Sequence, residues 1–142
     1  MSPETVFGVA NAIALVSWLL LAALPDRRWV TDVVTGRAIP GVFAAAYVAI
    51  IVSTFATATG SFSTLDGVAA LFSNRWILLA GWLHYLAFDL LIGTWIAGDA
   101  RERQTRRWLL IPALFATFMF GPAGWLLYLA IRARHPVRQE PG

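Results

Sequence analysis

The 142-residue chain contains no cysteine and no lysine, and few of its side chains carry charge. The missing thiols exclude disulfides, thiolate metal sites, iron–sulfur clusters and cysteine nucleophiles. The chain also has no glycine-rich dinucleotide motif, no phosphate-binding loop and no HExxH zinc motif. His84 and His135 are its only histidines, too few for a membrane di-iron oxygenase. Any catalysis is therefore expected to be proton transfer, without a metal or a bound cofactor.

Long apolar runs occupy most of the sequence. Hydrophobic residues make up 58% of the chain and charged residues 13%, which is too apolar for a soluble domain of this length. A membrane-spanning helix needs roughly 20 mainly apolar residues. Four stretches meet that requirement, and they lie at residues 6–24, 39–57, 76–97 and 108–131. We predict an all-α integral membrane protein, a four-helix bundle that forms one domain over residues 1–142.

The segment between the second and third spans has a different pattern. Apolar residues recur at helical spacing between Leu65 and Phe72, and Ser63 with Asp66 resembles a capping box. This pattern predicts a short amphipathic helix over residues 64–73 that lies at the membrane surface.

Two prolines interrupt the fourth predicted span. Pro122 cannot donate a hydrogen bond to the carbonyl of Phe118, and its ring crowds that group, so a kink is expected there. Pro112 is expected to mark the first turn of the same span.

The 11 basic residues are all arginines and lie between or beyond the predicted spans. That placement suits lipid headgroups and membrane topology, and it does not indicate nucleic-acid binding. The first and third loops carry more of them than the second loop and the tail, which predicts that both termini face away from the cytoplasm. The absence of lysine and of a transit segment indicates a bacterial inner-membrane protein whose first helix is retained.

Asp89 lies in the middle of the third predicted span. An ionised carboxylate at mid-membrane costs about 3 kcal/mol on insertion scales, so such a residue usually faces a polar interior and has a function. Tyr85 lies one turn earlier and can hydrogen-bond to it, whereas His84 points about 140° away on the helix. We assign Asp89, His84 and Tyr85 as candidate catalytic residues. The alternatives are a structural carboxyl group at Asp89 and an interfacial or packed imidazole at His84.

Further polar and aromatic side chains occur within the spans. Asn11, Trp82, Thr117 and Tyr128 are candidate substrate-binding residues, although hydrogen bonding between helices or an interfacial belt explains such residues by default. Asp99, at the end of the third span, is expected to begin a solvated loop.

Several motifs carry a resemblance to a known family. They are HYxxFDL at residues 84–90, WIxxD at 95–99 and TFMFGPAG at 117–124, with Asn11, Trp18, Pro25, Tyr47, Pro112, Tyr128 and Arg132. Over nearly the whole chain, this pattern resembles the abscisic-acid-deficient-four-like family of small membrane proteins. The resemblance implies a carotenoid substrate and the isomerisation of an epoxy-xanthophyll to an allenic alcohol, as in neoxanthin formation. It implies Asp89 and His84 as acid and base, with Tyr85 as an orienting donor.

The expected partners are membrane lipids and an apolar polyene or lipid-like ligand, and a homo-oligomer is left open. Two other functions also stay open. One is a non-catalytic pigment or lipid binder in which His84 ligates a tetrapyrrole. The other is a small proton-coupled transporter in which Asp89 is the titrating group.

Overall fold

The computed structural model describes residues 1–134, and every regular element in that range is helical. The elements are α1 (Pro3–Ala23), a π-helical segment (Trp29–Ala38), α2 (Ile39–Thr54), a 3-10 turn (Phe55–Thr57), α3 (Leu65–Phe72), α4 (Arg75–Glu102), α5 (Arg107–Phe120) and α6 (Pro122–Ala133). This confirms the all-α prediction. His135 and Arg138 lie outside the described residues.

Three helical stretches within residues 1–134 are long and apolar enough to cross a membrane. They are α1, the continuous stretch Trp29–Thr57 and α4. The start of α1 is fixed by Ser2, whose hydroxyl accepts a hydrogen bond from the amide of Thr5, and by Pro3 in the first turn. These three stretches support an integral membrane protein, as predicted.

Helix α4 lies at the centre of the fold and contacts all the other helices. Its 28 residues include small ones where neighbours approach closely. The indole of Trp18 lies directly against Gly93, in the space that a larger side chain would occupy. Phe72 of α3 packs on Gly81, where an added Cβ would lie 2.6 Å from its ring. Small residues at such contacts are what a membrane bundle uses to pack helices.

The second spanning stretch begins ten residues before the predicted start, as a π-helix. Two threonines of this π-helical segment face α4 and are buried. The hydroxyl of Thr94 donates to that of Thr35 at 2.8 Å, and Arg101 donates to Thr31 at 3.3 Å. The segment looks too polar to span when read alone, but its two buried threonines form hydrogen bonds with α4.

The predicted short amphipathic helix is present at Leu65–Phe72, close to its predicted bounds of 64–73. Its N-cap differs from the prediction, because Thr64 rather than Ser63 accepts the hydrogen bond, from the amide of Gly67 at 3.0 Å.

The predicted fourth span is instead a helical hairpin. At Gly121 the backbone has φ of 47° and ψ of −100°, which ends α5 and starts α6. Beyond this turn Gly124 lies against Thr117, and Trp108 near the start of α5 lines the same groove as Ile131 near the end of α6. The two helices have 14 and 12 residues, or about 21 Å and about 18 Å, which is less than the roughly 30 Å of a bilayer core.

The predicted four-helix bundle is therefore not confirmed, and the chain reverses at Gly121 instead of continuing as one kinked span. Pro122 occupies the first turn of α6, where its missing N–H costs nothing, and Pro112 lies inside α5 rather than in its first turn. The positive φ at Gly121, a conformation that side chains with a Cβ resist, lets the chain reverse there.

Two ion pairs show where the ends of the described chain lie. Glu4 of α1 pairs with Arg75 at the start of α4, with 2.5 Å between Oε1 and the guanidinium. Arg132 of α6 pairs with Asp99 near the end of α4, at 3.0 Å. Pro3 and Ala133 thus mark opposite ends of the bundle. The side of the membrane on which each terminus lies stays a prediction.

Candidate functional site

Asp89 lies at the middle of α4, against the turn of the hairpin. A Cβ placed on Gly121 would lie 3.0 Å from Oδ1 of Asp89. The other carboxylate oxygen, Oδ2, is enclosed and has no hydrogen-bond partner among residues 1–134. A buried acceptor without a partner costs about 1–3 kcal/mol, so this oxygen is positioned to accept a hydrogen bond from a bound group or to carry a proton.

A small cavity adjoins this carboxyl group. It has a volume of about 250 Å³ and is lined by Asp89, Ile92, Gly121, Pro122 and Trp125. Pro122 and Trp125 are exposed, so the cavity opens on the outer surface of the helices. Apart from the carboxyl group, the side chains at this site are apolar or aromatic.

The predicted residues Tyr85, Trp82 and Asn11 continue from Asp89 along one side of α4. The phenol of Tyr85 interacts with the Asp89 carboxyl group, and its ring stacks on that of Trp82 at 5.2 Å between centroids. The indole N–H of Trp82 donates to Oδ1 of Asn11 in α1 at 2.9 Å. The structure therefore brings four of the seven predicted site residues together.

An apolar groove of about 420 Å³ lies at the far end of this row, between α1 and α4. Phe7, Leu78, Leu79 and Trp82 form its walls, and the Glu4–Arg75 pair lies at its mouth. We call the stretch from this groove through Trp82 and Tyr85 to Asp89 the aromatic track. It extends over about 16 Å of α4, from Leu78 to Asp89.

His84 does not lie at this site. Its imidazole is exposed and packs against Phe88 and Tyr47, with ring centroids 4.6 Å and 5.8 Å away. It is not among the residues that line the Asp89 cavity. This geometry favours the alternative in which His84 is a packed imidazole. It does not favour an acid–base pair of His84 with Asp89.

Thr117 and Tyr128 also lie away from the cavity. Thr117 is fully buried, donates to the carbonyl of Ala113 at 2.8 Å and packs under Gly124. The hydroxyl of Tyr128 donates to Oδ2 of Asp99 at 2.7 Å. Neither residue is placed to contact a ligand at Asp89, so both hold the hairpin together instead.

Asp99 is the centre of a polar cluster that sequence reasoning missed. Its side chain is only 12% exposed, so the expected solvated loop start is wrong. Oδ2 accepts from Arg103 at 2.7 Å and from Arg132 at 3.0 Å, in addition to Tyr128. Three charged or polar donors on one carboxylate tie the end of α4 to the end of α6.

One feature of the sequence near Asp99 indicated part of this cluster. Asp99 and Arg103 are four residues apart, which places them on the same helical face. The contribution of Arg132 depends on the reversal at Gly121, and no local pattern reports that reversal. Among residues 1–134, no group of three or more His, Asp or Glu side chains is placed to hold a metal ion.

The sequence was compared with family models, curated proteins and solved structures. No curated protein and no solved structure matches this sequence. The family model described as ABA DEFICIENT 4-like matches residues 5–128, which include the aromatic track, Asp89, the hairpin turn and most of the Asp99 cluster. The chain therefore belongs to the ABA DEFICIENT 4-like family.

Proposed function

We propose that the protein is a membrane-embedded enzyme that isomerises an epoxy-xanthophyll by acid–base chemistry at Asp89. Membership of the ABA DEFICIENT 4-like family supports a role related to neoxanthin synthesis. Two observations on Asp89 carry the proposal: its Oδ2 has no hydrogen-bond partner among residues 1–134, and the residue lines a cavity half-way along a spanning helix. An intramembrane carboxyl group of this kind is a functional group by default.

The size of the cavity limits what enters it. At about 250 Å³ it is smaller than the 300–1,000 Å³ typical of sites that enclose a whole ligand. It suits one end group of a carotenoid, while the polyene lies along the aromatic track toward Trp82. Such a substrate reaches the site sideways from the bilayer, past Trp125.

The reaction needs only one proton carrier. Asp89 in its acid form donates its proton to the epoxide oxygen, and the carbon–oxygen bond opens with its electron pair on oxygen. The resulting carboxylate then removes the proton from the adjacent polyene carbon, and that electron pair forms the second double bond of the allene. Asp89 ends as it began, and the net change is one proton moved from carbon to oxygen.

Tyr85 is the positioning group in this scheme. Its hydroxyl interacts with the Asp89 carboxyl group and keeps it in place beside the cavity. His84 has no part in the scheme, because its ring packs against Phe88 and Tyr47.

We further propose that α5 and α6 form a re-entrant hairpin that enters and leaves the membrane on one side. Eight arginines lie at the end of the bundle that carries Asp99: Arg27, Arg28, Arg101, Arg103, Arg106, Arg107, Arg132 and Arg134. Within residues 1–134, the opposite end carries only Arg75. The positive-inside rule then places the base of the hairpin in the cytoplasm and residue 1 on the other side.

Pigment profiling tests the proposed activity. The protein is expressed in cells that accumulate epoxidised carotenoids and in matched cells that accumulate the unepoxidised precursors, and pigments are separated by chromatography. We expect a new allenic product of unchanged mass only in the epoxide-producing cells. An unchanged profile in both hosts, with the protein present in the membrane, contradicts the proposal.

A further inference from the structure

The base of the hairpin contains a second cavity, separate from the Asp89 site. The legs α5 and α6 touch at Thr117 and Gly124, close to the turn, and residues of both legs nearer their other ends line a common space. The space between them is a groove of about 900 Å³, which we call the basal groove. It shares no lining residue with the Asp89 cavity.

The basal groove is polar at one end and apolar along its length. Gln104, Arg106 and Arg134 line its outer end, and Trp108, Leu127 and Ile131 are among its apolar walls. Trp108 is 66% exposed, so the groove opens outward, where acyl chains surround the protein. A crevice that faces lipid is filled by hydrocarbon, because no water is present to fill it.

The charge at the rim of the groove is uncompensated. Arg106 and Arg134 form no salt bridge within the described part of the chain, whereas Arg103, Arg107 and Arg132 are paired with Asp26 or Asp99. Among residues 1–134, no acidic side chain lines the groove. Two unpaired guanidinium groups above an apolar crevice match an anionic headgroup that carries an acyl chain.

We propose that the basal groove binds an anionic phospholipid, with its phosphate between Arg106 and Arg134 and one acyl chain between the hairpin legs. The arginines supply charge-assisted hydrogen bonds to the phosphate. The acyl chain fills the space between Trp108 and Leu127, between the two legs of the hairpin. The site is independent of the activity proposed for Asp89, since the two cavities are formed by different residues.

Native mass spectrometry of the purified full chain tests the site. The detergent-solubilised protein is incubated with equal amounts of dioleoyl phosphatidylglycerol and dioleoyl phosphatidylcholine, which differ only in their headgroups. We expect one tightly retained phosphatidylglycerol per chain. In the Arg106→Gln/Arg134→Gln variant the preference for the anionic lipid falls at least about tenfold, because each basic residue near the surface contributes about a factor of five to anionic lipid binding.

The matched control removes the same charge from the same end of the bundle. Arg27 and Arg28 are exposed beside Asp26, which pairs with Arg107, and neither lines the basal groove. We expect Arg27→Gln/Arg28→Gln to keep the lipid preference of the wild type. An equal loss in both double variants would show diffuse attraction rather than a site, and no preference in the wild type would overturn the proposal outright.

Two further measurements separate the acyl chain from the phosphate. Ala130 is exposed and lines the groove. The Ala130→Phe side chain therefore occupies the space proposed for the acyl chain and leaves both arginines in place. This variant is expected to lose the retained lipid. Inorganic phosphate in excess is expected not to displace it, and displacement would identify a simple anion site and contradict the phospholipid assignment.

Discussion

Asp89 of α4 and Gly121 at the hairpin turn are in contact, although 32 positions separate them in the sequence. A Cβ on Gly121 would lie 3.0 Å from Oδ1 of Asp89. The tip of the hairpin therefore reaches the middle of the longest helix, where the carboxyl group lies. This contact forms the cavity proposed as the active site, so the reversal of the chain at Gly121 and the chemistry at Asp89 depend on each other.

The glycines of the hairpin are expected to be intolerant of alanine. Gly121→Ala introduces a side chain at positive φ beside Asp89, and Gly124→Ala places a Cβ on the backbone of Thr117. Each change is expected to destabilise the protein by about 1–3 kcal/mol. Unfolding in mixed micelles, followed by tryptophan fluorescence, measures the loss. Gly41→Ala is the control, because nothing lies within 4 Å of its added Cβ, and equal effects at all three positions would contradict the packing described.

The re-entrant hairpin predicts which residues are reached from outside the cell. Since the chain has no cysteine, Ser2→Cys and Ala133→Cys each introduce a unique thiol. A membrane-impermeant maleimide is expected to label Ser2→Cys in intact cells and Ala133→Cys only after permeabilisation. Labelling of both in intact cells would indicate four crossings and refute the hairpin.

The Asp99 cluster is expected to stabilise the fold. Asp99→Asn leaves Arg103 and Arg132 without their counter-charge and is expected to cost about 1–3 kcal/mol, because the cluster is partly buried and its hydrogen bonds are to charged groups. Tyr128→Phe removes one hydrogen bond to a charged group and is expected to cost about 1–2 kcal/mol. Denaturant titration in micelles measures both. Asp26→Asn is the control, since its pair with Arg107 is exposed and contributes at most about 1 kcal/mol; a loss there as large as at Asp99 would count against the cluster.

The aromatic track is expected to contribute to substrate binding. Trp82→Ala removes the ring that connects Asn11 to Tyr85 and is expected to lower conversion most at low pigment levels, with a smaller effect at saturation. Conversion measured against pigment content in membranes separates the two regimes. Trp29, which is exposed outside the track, provides the control variant Trp29→Ala. Unchanged conversion in Trp82→Ala at every pigment level would exclude the track from binding.

The sequence was sufficient to predict the three long helices and the short helix Leu65–Phe72, because a local run of apolar residues indicates each of them. It also indicated Asp89, Tyr85, Trp82 and Asn11, which lie near one another in the structure and whose functional roles stay a prediction. Asp89 is conspicuous in an apolar span, and Tyr85 follows from helical spacing. The early start of the second stretch at Trp29 was missed for a non-local reason, since two buried threonines of the π-helical segment bond to Thr94 and Arg101 on another helix.

The hairpin could not be predicted from local apolar runs. Residues 108–131 form an apolar run of spanning length, and the number of apolar residues is the same whether the chain continues or reverses at Gly121. The reversal then decides the partners of Tyr128 and Arg132, which meet Asp99 only because α6 returns toward the end of α4. The errors about the fourth span and Asp99 therefore share one physical origin.

Conversion by Asp89→Asn tests the central claim most directly. The variant keeps the shape of the side chain, but it removes the group that gives and takes the proton, so product in the epoxide-producing cells is expected to fall at least about a hundredfold. The amount of protein in the membrane is matched by immunoblot, and His84→Gln, altered on the exposed face beside Phe88, is expected to retain activity. Product from Asp89→Asn equal to that of the wild type would contradict the account.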